Sequence, residues 1–166
     1  MMVRGTWDRG WVMGIAGALL LVMMTAAPVS AGDISSLSKG QTVYVPGYSH
    51  IYTGDKERPV LLAVTVSIRN TDPNHWIQID AVDYYDTEGN LIKKYLNLPA
   101  QLRAMASTRF VIPESDKGGG SGANFIVRWS AQNPVNPPVI ETVMISTRMQ
   151  LGISFTSRGQ VLQEAK

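Results

Sequence analysis

The run Gly118-Gly119-Gly120-Ser121-Gly122-Ala123 could do chemistry in three ways. It matches the G-x-G-x-x-A pattern of dinucleotide sites. That pattern works only where the loop opens a helix whose first amides hold a pyrophosphate. Here Asn124-Phe125-Ile126-Val127-Arg128-Trp129 follows, with Phe125, Val127 and Trp129 at period two, so a strand follows the loop. A phosphate-binding P-loop needs Lys-Ser/Thr after the glycines, and that pair is missing. The serine reading places Ser121 one residue away from G-x-S-x-G. A nucleophile elbow also needs a helix after the serine, and a histidine later in the chain. Both histidines, His50 and His75, precede Ser121. The run therefore reads as a connection between strands, with glycines allowing positive φ or close backbone approach. Consecutive amides can still form an anion nest without a helix. Gly118, Gly119, Gly120, Ser121, Gly122 and Asn124 thus stand as candidate ligand contacts.

Tyr44, Tyr48, His50 and Tyr52 fall at even spacing. If extended, they would make one aromatic face with a histidine, able to hold a sugar or a peptide. Pro46-Gly47 interrupts that spacing, which favours an irregular edge whose rings cap the core. His50, His75 and a carboxylate could share a metal. Two histidines without clustered partners are too few for a zinc or copper signature, so no metal site is assigned. Asp80, Asp83, Asp86 and Glu88 are the densest carboxylates. Glycoside hydrolysis needs two carboxyls facing each other across roughly 5 to 9 Å. Asp80 and Asp86 share strand parity and Asp83 does not, so solvated strand and turn charges are the plainer reading. Asp86-Thr87-Glu88-Gly89-Asn90 lacks the distal Glu of a calcium loop.

These residues sit in a chain of 166 residues, 45% hydrophobic and 17% charged, which suits one globular domain. Its start differs from the rest. Arg4 and Arg9 precede a stretch from Trp11 to Gly32 without charge, which ends at Pro28-Val29-Ser30-Ala31. A basic start, an apolar stretch and a small-x-Ala exit predict a secretory signal peptide over residues 1–31, cleaved after Ala31. An uncleaved anchor is the alternative, because the uncharged stretch is nearly long enough to span a bilayer. No cysteine follows it, which rules out lipid attachment through Cys. Without Arg4, Arg9 and Asp8 the formal charge falls from +2 to near +1. No Lys/Arg run remains, so nothing points to a nucleic acid. The absence of cysteine removes thiol catalysis and Cys-based metal sites, and leaves the core alone to hold a secreted domain.

After the leader the pattern is β. Residues 32–40 read as a flexible leader, 41–157 as the domain and 158–166 as a polar tail. Val60, Leu62, Val64, Val66 and Ile68 alternate on one strand face. From Trp76 to Asp86 the alternation changes phase between Ile79 and Val82, which predicts a β-bulge near Asp80-Ala81. Gly89 supplies the positive φ of a hairpin turn, and Leu91 to Leu98 returns as its partner. Ser107 to Ile112, the stretch through Trp129, Val143 to Met149 and Gly152 to Ser157 complete the set. Prolines keep Ala131 to Pro138 out of any sheet. In the strand from Val143, the residues Val143, Ile145, Thr147 and Met149 share one side. About eight short strands and no amphipathic helix predict an antiparallel, immunoglobulin-like β-sandwich, with Trp129 in its core.

The strings SKGQTVYVPGYSHIYTGD, VSIRNTD, VDYYDTEGNLIKKYL, GGGSGANFIVRW and GISFTSRG together resemble a bacterial family of exported proteins classed as a domain of unknown function. The resemblance runs from Ser38 to Gly159. It implies a single periplasmic or surface β-domain, and it brings no activity, cofactor or catalytic residue with it.

The expected function is therefore a non-enzymatic, exported β-sandwich that binds a protein or cell-envelope component without a cofactor. Its candidate contacts are the Tyr44–Tyr52 face and the Gly118–Gly122 loop. The alternative is a periplasmic small-ligand or metal-binding protein using His50 and His75 or the glycine loop. A hydrolase using Ser121 or the Asp80–Asp86 carboxylates would need a polar cleft holding a base within hydrogen-bond reach.

Overall fold

The computed structural model describes residues 36–147 and 152–165, which belong to the unit Ser35–Lys166. The expected signal segment and Met149 lie outside the described residues. Within them there are twelve strands and no helix. They are β1 (Ser38–Pro46), β2 (His50–Thr53), β3 (Arg58–Leu61), β4 (Ala63–Arg69), β5 (Ile77–Tyr85), β6 (Leu91–Lys94), β7 (Ala100–Leu102), β8 (Ser107–Ile112), β9 (Asn124–Val135), β10 (Val139–Ser146), β11 (Ile153–Arg158) and β12 (Gln160–Glu164). Among the described residues all strand pairings are antiparallel: one sheet runs β12-β1-β9-β5-β6 with β7 also on β5, a second runs β11-β10-β4-β8, and β2-β3 is a hairpin.

One hydrophobic cluster draws on both larger sheets. Val43, Val45, Ile77, Ile79, Val82, Tyr84, Phe125, Val127 and Trp129 come from the first, and Val64, Val66, Ile68, Ile112, Ile140 and Met144 from the second. Each such aliphatic or aromatic side chain removed from water contributes about 1.5–3 kcal/mol, which lets a domain without disulfides stand. The alternation of Val60, Leu62, Val64, Val66 and Ile68 is the buried face, although the chain breaks from β3 to β4 at Leu62. The expected bulge lies in β5: its register against β9 shifts between Ile79 and Ala81, so Ile77 and Ile79 before it and Val82 and Tyr84 after it all face the core. Trp129 is 2% exposed, and its indole Nε1 has no hydrogen-bond partner among the described residues.

Several expectations need correction. The framework runs from Ser38 to Glu164, wider than 41–157 at both ends. The expected leader supplies the start of β1, where Ser38 is buried. The expected tail is β12, paired to β1 and anchored by Glu164, whose carboxylate accepts from the Ser38 hydroxyl and the Gln41 amide at 2.6 Å each. All five β12 residues are exposed, so no burial pattern marked the strand. Pro134 lies inside β9. Ala131 to Pro134 occupy the register shift between the Gly40–Ser130 and Ser38–Val135 pairs, where Pro134 has no partner among the described residues and its missing N–H breaks no ladder. In β10 the buried face is Ile140, Thr142, Met144 and Ser146, while Ile145 is exposed. Two hydroxyl residues concealed that face. Thr142 donates to the Pro46 carbonyl and Ser146 to the Glu114 carboxylate, so both can be buried without loss.

Polar side chains fix the turn from β4 to β5. The Asn70 amide donates to the His75 and Arg103 carbonyls at 2.8 and 2.9 Å. Buried Asp72 accepts from the amides of Asn74, His75 and Asn136 and from the His75 ring at 3.0 Å. These donors, the Asn74 amide first, overcome the opposing effect of burial and hold the Asp72 carboxyl at about 2, below its ordinary 3.8. A depressed acid stabilises the fold above its unfolded pKa, and that contribution disappears as pH falls through the folded value. Asp72→Asn should lower Tm at pH 7, with the gap to wild type narrowing between pH 3.8 and about 2. A gap that stays constant across thermal melts in that window would refute the assignment.

Candidate functional site

The short sequence Thr53-Gly54-Asp55 turns the chain sharply. Gly54 has φ +68°, Glu57 has φ +46°, and the Glu57 amide donates to the Gly54 carbonyl at 3.0 Å. The β2–β3 register then pairs His50 with Leu61, Ile51 with Val60 and Tyr52 with Pro59. Residues directly opposite share a face, and the faces alternate along each strand. Ile51 packs on the core and Val60 is buried, so the other face presents His50, Tyr52, Pro59 and Leu61. Together with Lys117 these four line a cavity of about 300 Å³. The His50 Nε2 and Tyr52 hydroxyl are 3.2 Å apart, with ring planes at 87°. Tyr52 is 55% exposed.

Lys117 enters this cavity because the glycine run beside it is pinned in place. Gly119 is buried, and its carbonyl accepts from the Thr87 amide and the Thr87 hydroxyl, each at 3.0 Å. The Gly120 carbonyl accepts from the Ser49 amide, and the Ala123 carbonyl from the Gly47 amide. The Gly118 amide donates to Asp116 and the Gly122 amide to the Thr87 hydroxyl. The run thus joins the Gly47–Ser49 segment to the Asp86–Asn90 turn. With two of its amides committed to Asp116 and Thr87, it carries no argument for an anion nest. A Cβ on Gly119 would overlap the Tyr84 hydroxyl and lie 2.7 Å from both the Ala123 Cβ and the Ser49 Oγ. The absence of a side chain there is a packing requirement.

The Tyr44–Tyr52 stretch divides at Pro46-Gly47. Tyr44 stands in the first sheet, in register with Ile126 and Gln160. Tyr48 packs its ring on Phe155 of β11 at 5.9 Å. His50 and Tyr52 alone of the four line the cavity. Ser121 is half-buried, and Asn124 opens β9 opposite Pro46 and Tyr85. The two histidines belong to separate networks, His50 with Tyr52 and His75 with Asp72. Among the described residues no three His, Cys, Asp or Glu side chains gather as metal ligands.

Asp80, Asp83 and Asp86 are engaged by the fold. Asp80 accepts from Gln78 and Ser130, buried Asp83 pairs with Arg128 at 2.9 Å, and Asp86 accepts from the Asn90 amide and side chain. The Asn90 side-chain bond leads the effects that depress the Asp86 carboxyl. Pro59, Leu61 and Lys117 were not among the sequence candidates. The Thr53-Gly54-Asp55 turn was the signal for the two strand residues, since a hairpin there sets them opposite His50 and Tyr52. Nothing local marks Lys117, which reaches the cavity through a long-range contact.

A family model described as a protein of unknown function (DUF3124) matches residues 40–162. No curated protein matches. A solved structure, the crystal structure of Thermotoga maritima 1070, is 10% identical, with 77% of this chain and 97% of that one covered at a TM-score of 0.46.

The packing at the glycine run sets a contrast between neighbours. Gly119→Ala should destabilise the domain by about 1–3 kcal/mol, the ordinary range for overpacking. Gly118→Ala should cost much less, because its Cβ would meet only Asp116 Oδ1 at 3.1 Å and Ile92 Cδ1 at 3.9 Å. Urea unfolding of both variants tests this. Equal effects would show that residue 119 is not a packing constraint.

Proposed function

The chain belongs to this family of unknown function, and we propose that it is an exported, non-enzymatic β-domain binding another protein or a cell-envelope component through the β2–β3 hairpin and the adjoining glycine run. The observation that carries the reading is the cavity itself. Two registered cross-strand pairs and Lys117 meet around an aromatic ring that is left more than half exposed. A concave, largely apolar wall with a few convergent polar groups is the ordinary form of a binding site.

Three further observations support the reading. The two antiparallel sheets sharing one core around Trp129 suit an immunoglobulin-like β-sandwich, whose ends commonly carry binding loops. The basic start, apolar stretch and Pro28–Ala31 exit of the sequence favour export. The groups first considered for catalysis or metal binding, His75, Asp80, Asp83 and Asp86, are each hydrogen-bonded within the domain.

Site-specific photo-crosslinking in intact cells tests the proposal. A crosslinker in place of Tyr52 should give a discrete adduct with an envelope component, and one in place of exposed Gln163 on β12 should not. Leu61→Asp should abolish the Tyr52 adduct while leaving the melting transition within a few degrees. Matching adducts from both positions, or none from Tyr52, would overturn the assignment.

A further inference from the structure

The hairpin cavity combines two chemistries. Tyr52, Pro59 and Leu61 form an apolar wall, the His50 ring is engaged with the Tyr52 hydroxyl at 3.2 Å, and Lys117 supplies a cation. Among the described residues no acid lines the cavity. Asp116, next to Lys117 in the chain, turns its carboxylate onto the Gly118 amide at 2.8 Å. Asp55 lines a neighbouring hollow with Lys56 and Arg58 instead. Among the described residues Lys117 makes no ion pair within 4.0 Å. An unpaired ammonium beside an apolar wall favours a ligand that brings an anion and an apolar group together.

The anion is small. One lysine, with no arginine fork and with the Gly118 and Gly122 amides already committed, suits a carboxylate rather than a phosphate. The cavity is also small: about 300 Å³ lies at the lower end of ligand sites. A chain terminus carries its carboxylate and its side chain on a single residue, whereas an internal Asp or Glu would need an apolar neighbour as well. Resting on the binding role argued above, we propose that this cavity captures the carboxyl-terminal residue of a partner polypeptide. The partner's apolar side chain lies on Tyr52, Pro59 and Leu61, and its terminal carboxylate meets Lys117.

The test uses the domain with N-acetyl-L-phenylalanine, its uncharged analogue N-acetyl-L-phenylalaninamide, and acetate, each followed by amide shifts in ¹H–¹⁵N NMR. The carboxylate compound should give saturable shifts at Tyr52, Leu61 and Lys117. The amide and acetate should each bind at least about tenfold more weakly, since each lacks one of the two groups recognised. Lys117→Gln, at an exposed position, should erase the preference for carboxylate over amide, and Leu61→Ser should weaken both. Equal binding of acid and amide, unchanged preference in Lys117→Gln, or no saturable shift would overturn the proposal. If any of these occurred while the Tyr52 crosslink persisted, the binding face would stand and only the terminal-carboxylate chemistry would fall.

Discussion

The loop end of the domain depends on residue 119 having no side chain. Tyr84 comes up from β5 inside the core, stacked on Phe125 at 5.1 Å, and its hydroxyl meets the Ser49 hydroxyl at 2.8 Å. Both residues are buried, so each hydroxyl must satisfy the other. Burial leads the effects that push the Tyr84 phenol above its usual range, which keeps it protonated and able to donate. The Gly119 backbone passes directly over this pair, and any Cβ would strike it. From that contact the rest follows. The Gly119 carbonyl takes Thr87, the Gly120 carbonyl takes the Ser49 amide, and β2 leaves Ser49 in a fixed direction.

Several of the domain's carboxylates tie its turns and strands together. Asp72 ties three amides and a histidine at one turn, Asp86 closes the β5–β6 turn, Glu164 fastens β12 to β1, and Asp83 holds Arg128 across the β5–β9 ladder. A domain without disulfides gains from such ties, because each gives a loop a defined partner. The same economy makes Lys117 stand out as a cation over an apolar wall.

Much of this was legible from spacing. The bulge at Ile79–Ala81 was visible because the apolar residues changed parity within one strand. The hairpin glycine at 89 was visible from its turn, and it has φ +84°. The limits of Ser107–Ile112 came from simple alternation. What escaped had a physical reason in each case. β12 buries no side chain, so periodicity had nothing to report. The core face of β10 includes Thr142 and Ser146, whose hydroxyls are satisfied by partners far away in sequence. The glycine run read as a connection between strands, but the packing that requires Gly119 is set by Tyr84 and Ser49, which lie 35 and 70 residues earlier. Tyr44, Tyr48, His50 and Tyr52 shared a spacing but not a strand, so only the last two meet.

The antiparallel pairing of β1 with β12 has a geometric outcome. Gln41 lies opposite Glu164, so the first strand begins where the last one finishes. From Gln41 β1 runs on to Pro46 and the glycine run, about 20 Å away at roughly 3.3 Å per residue. Both chain ends of the domain therefore emerge together at the pole opposite the hairpin cavity. A tether, fusion or surface attachment at either end leaves that cavity pointing outward, and a linker joining the two ends need span only neighbouring strands.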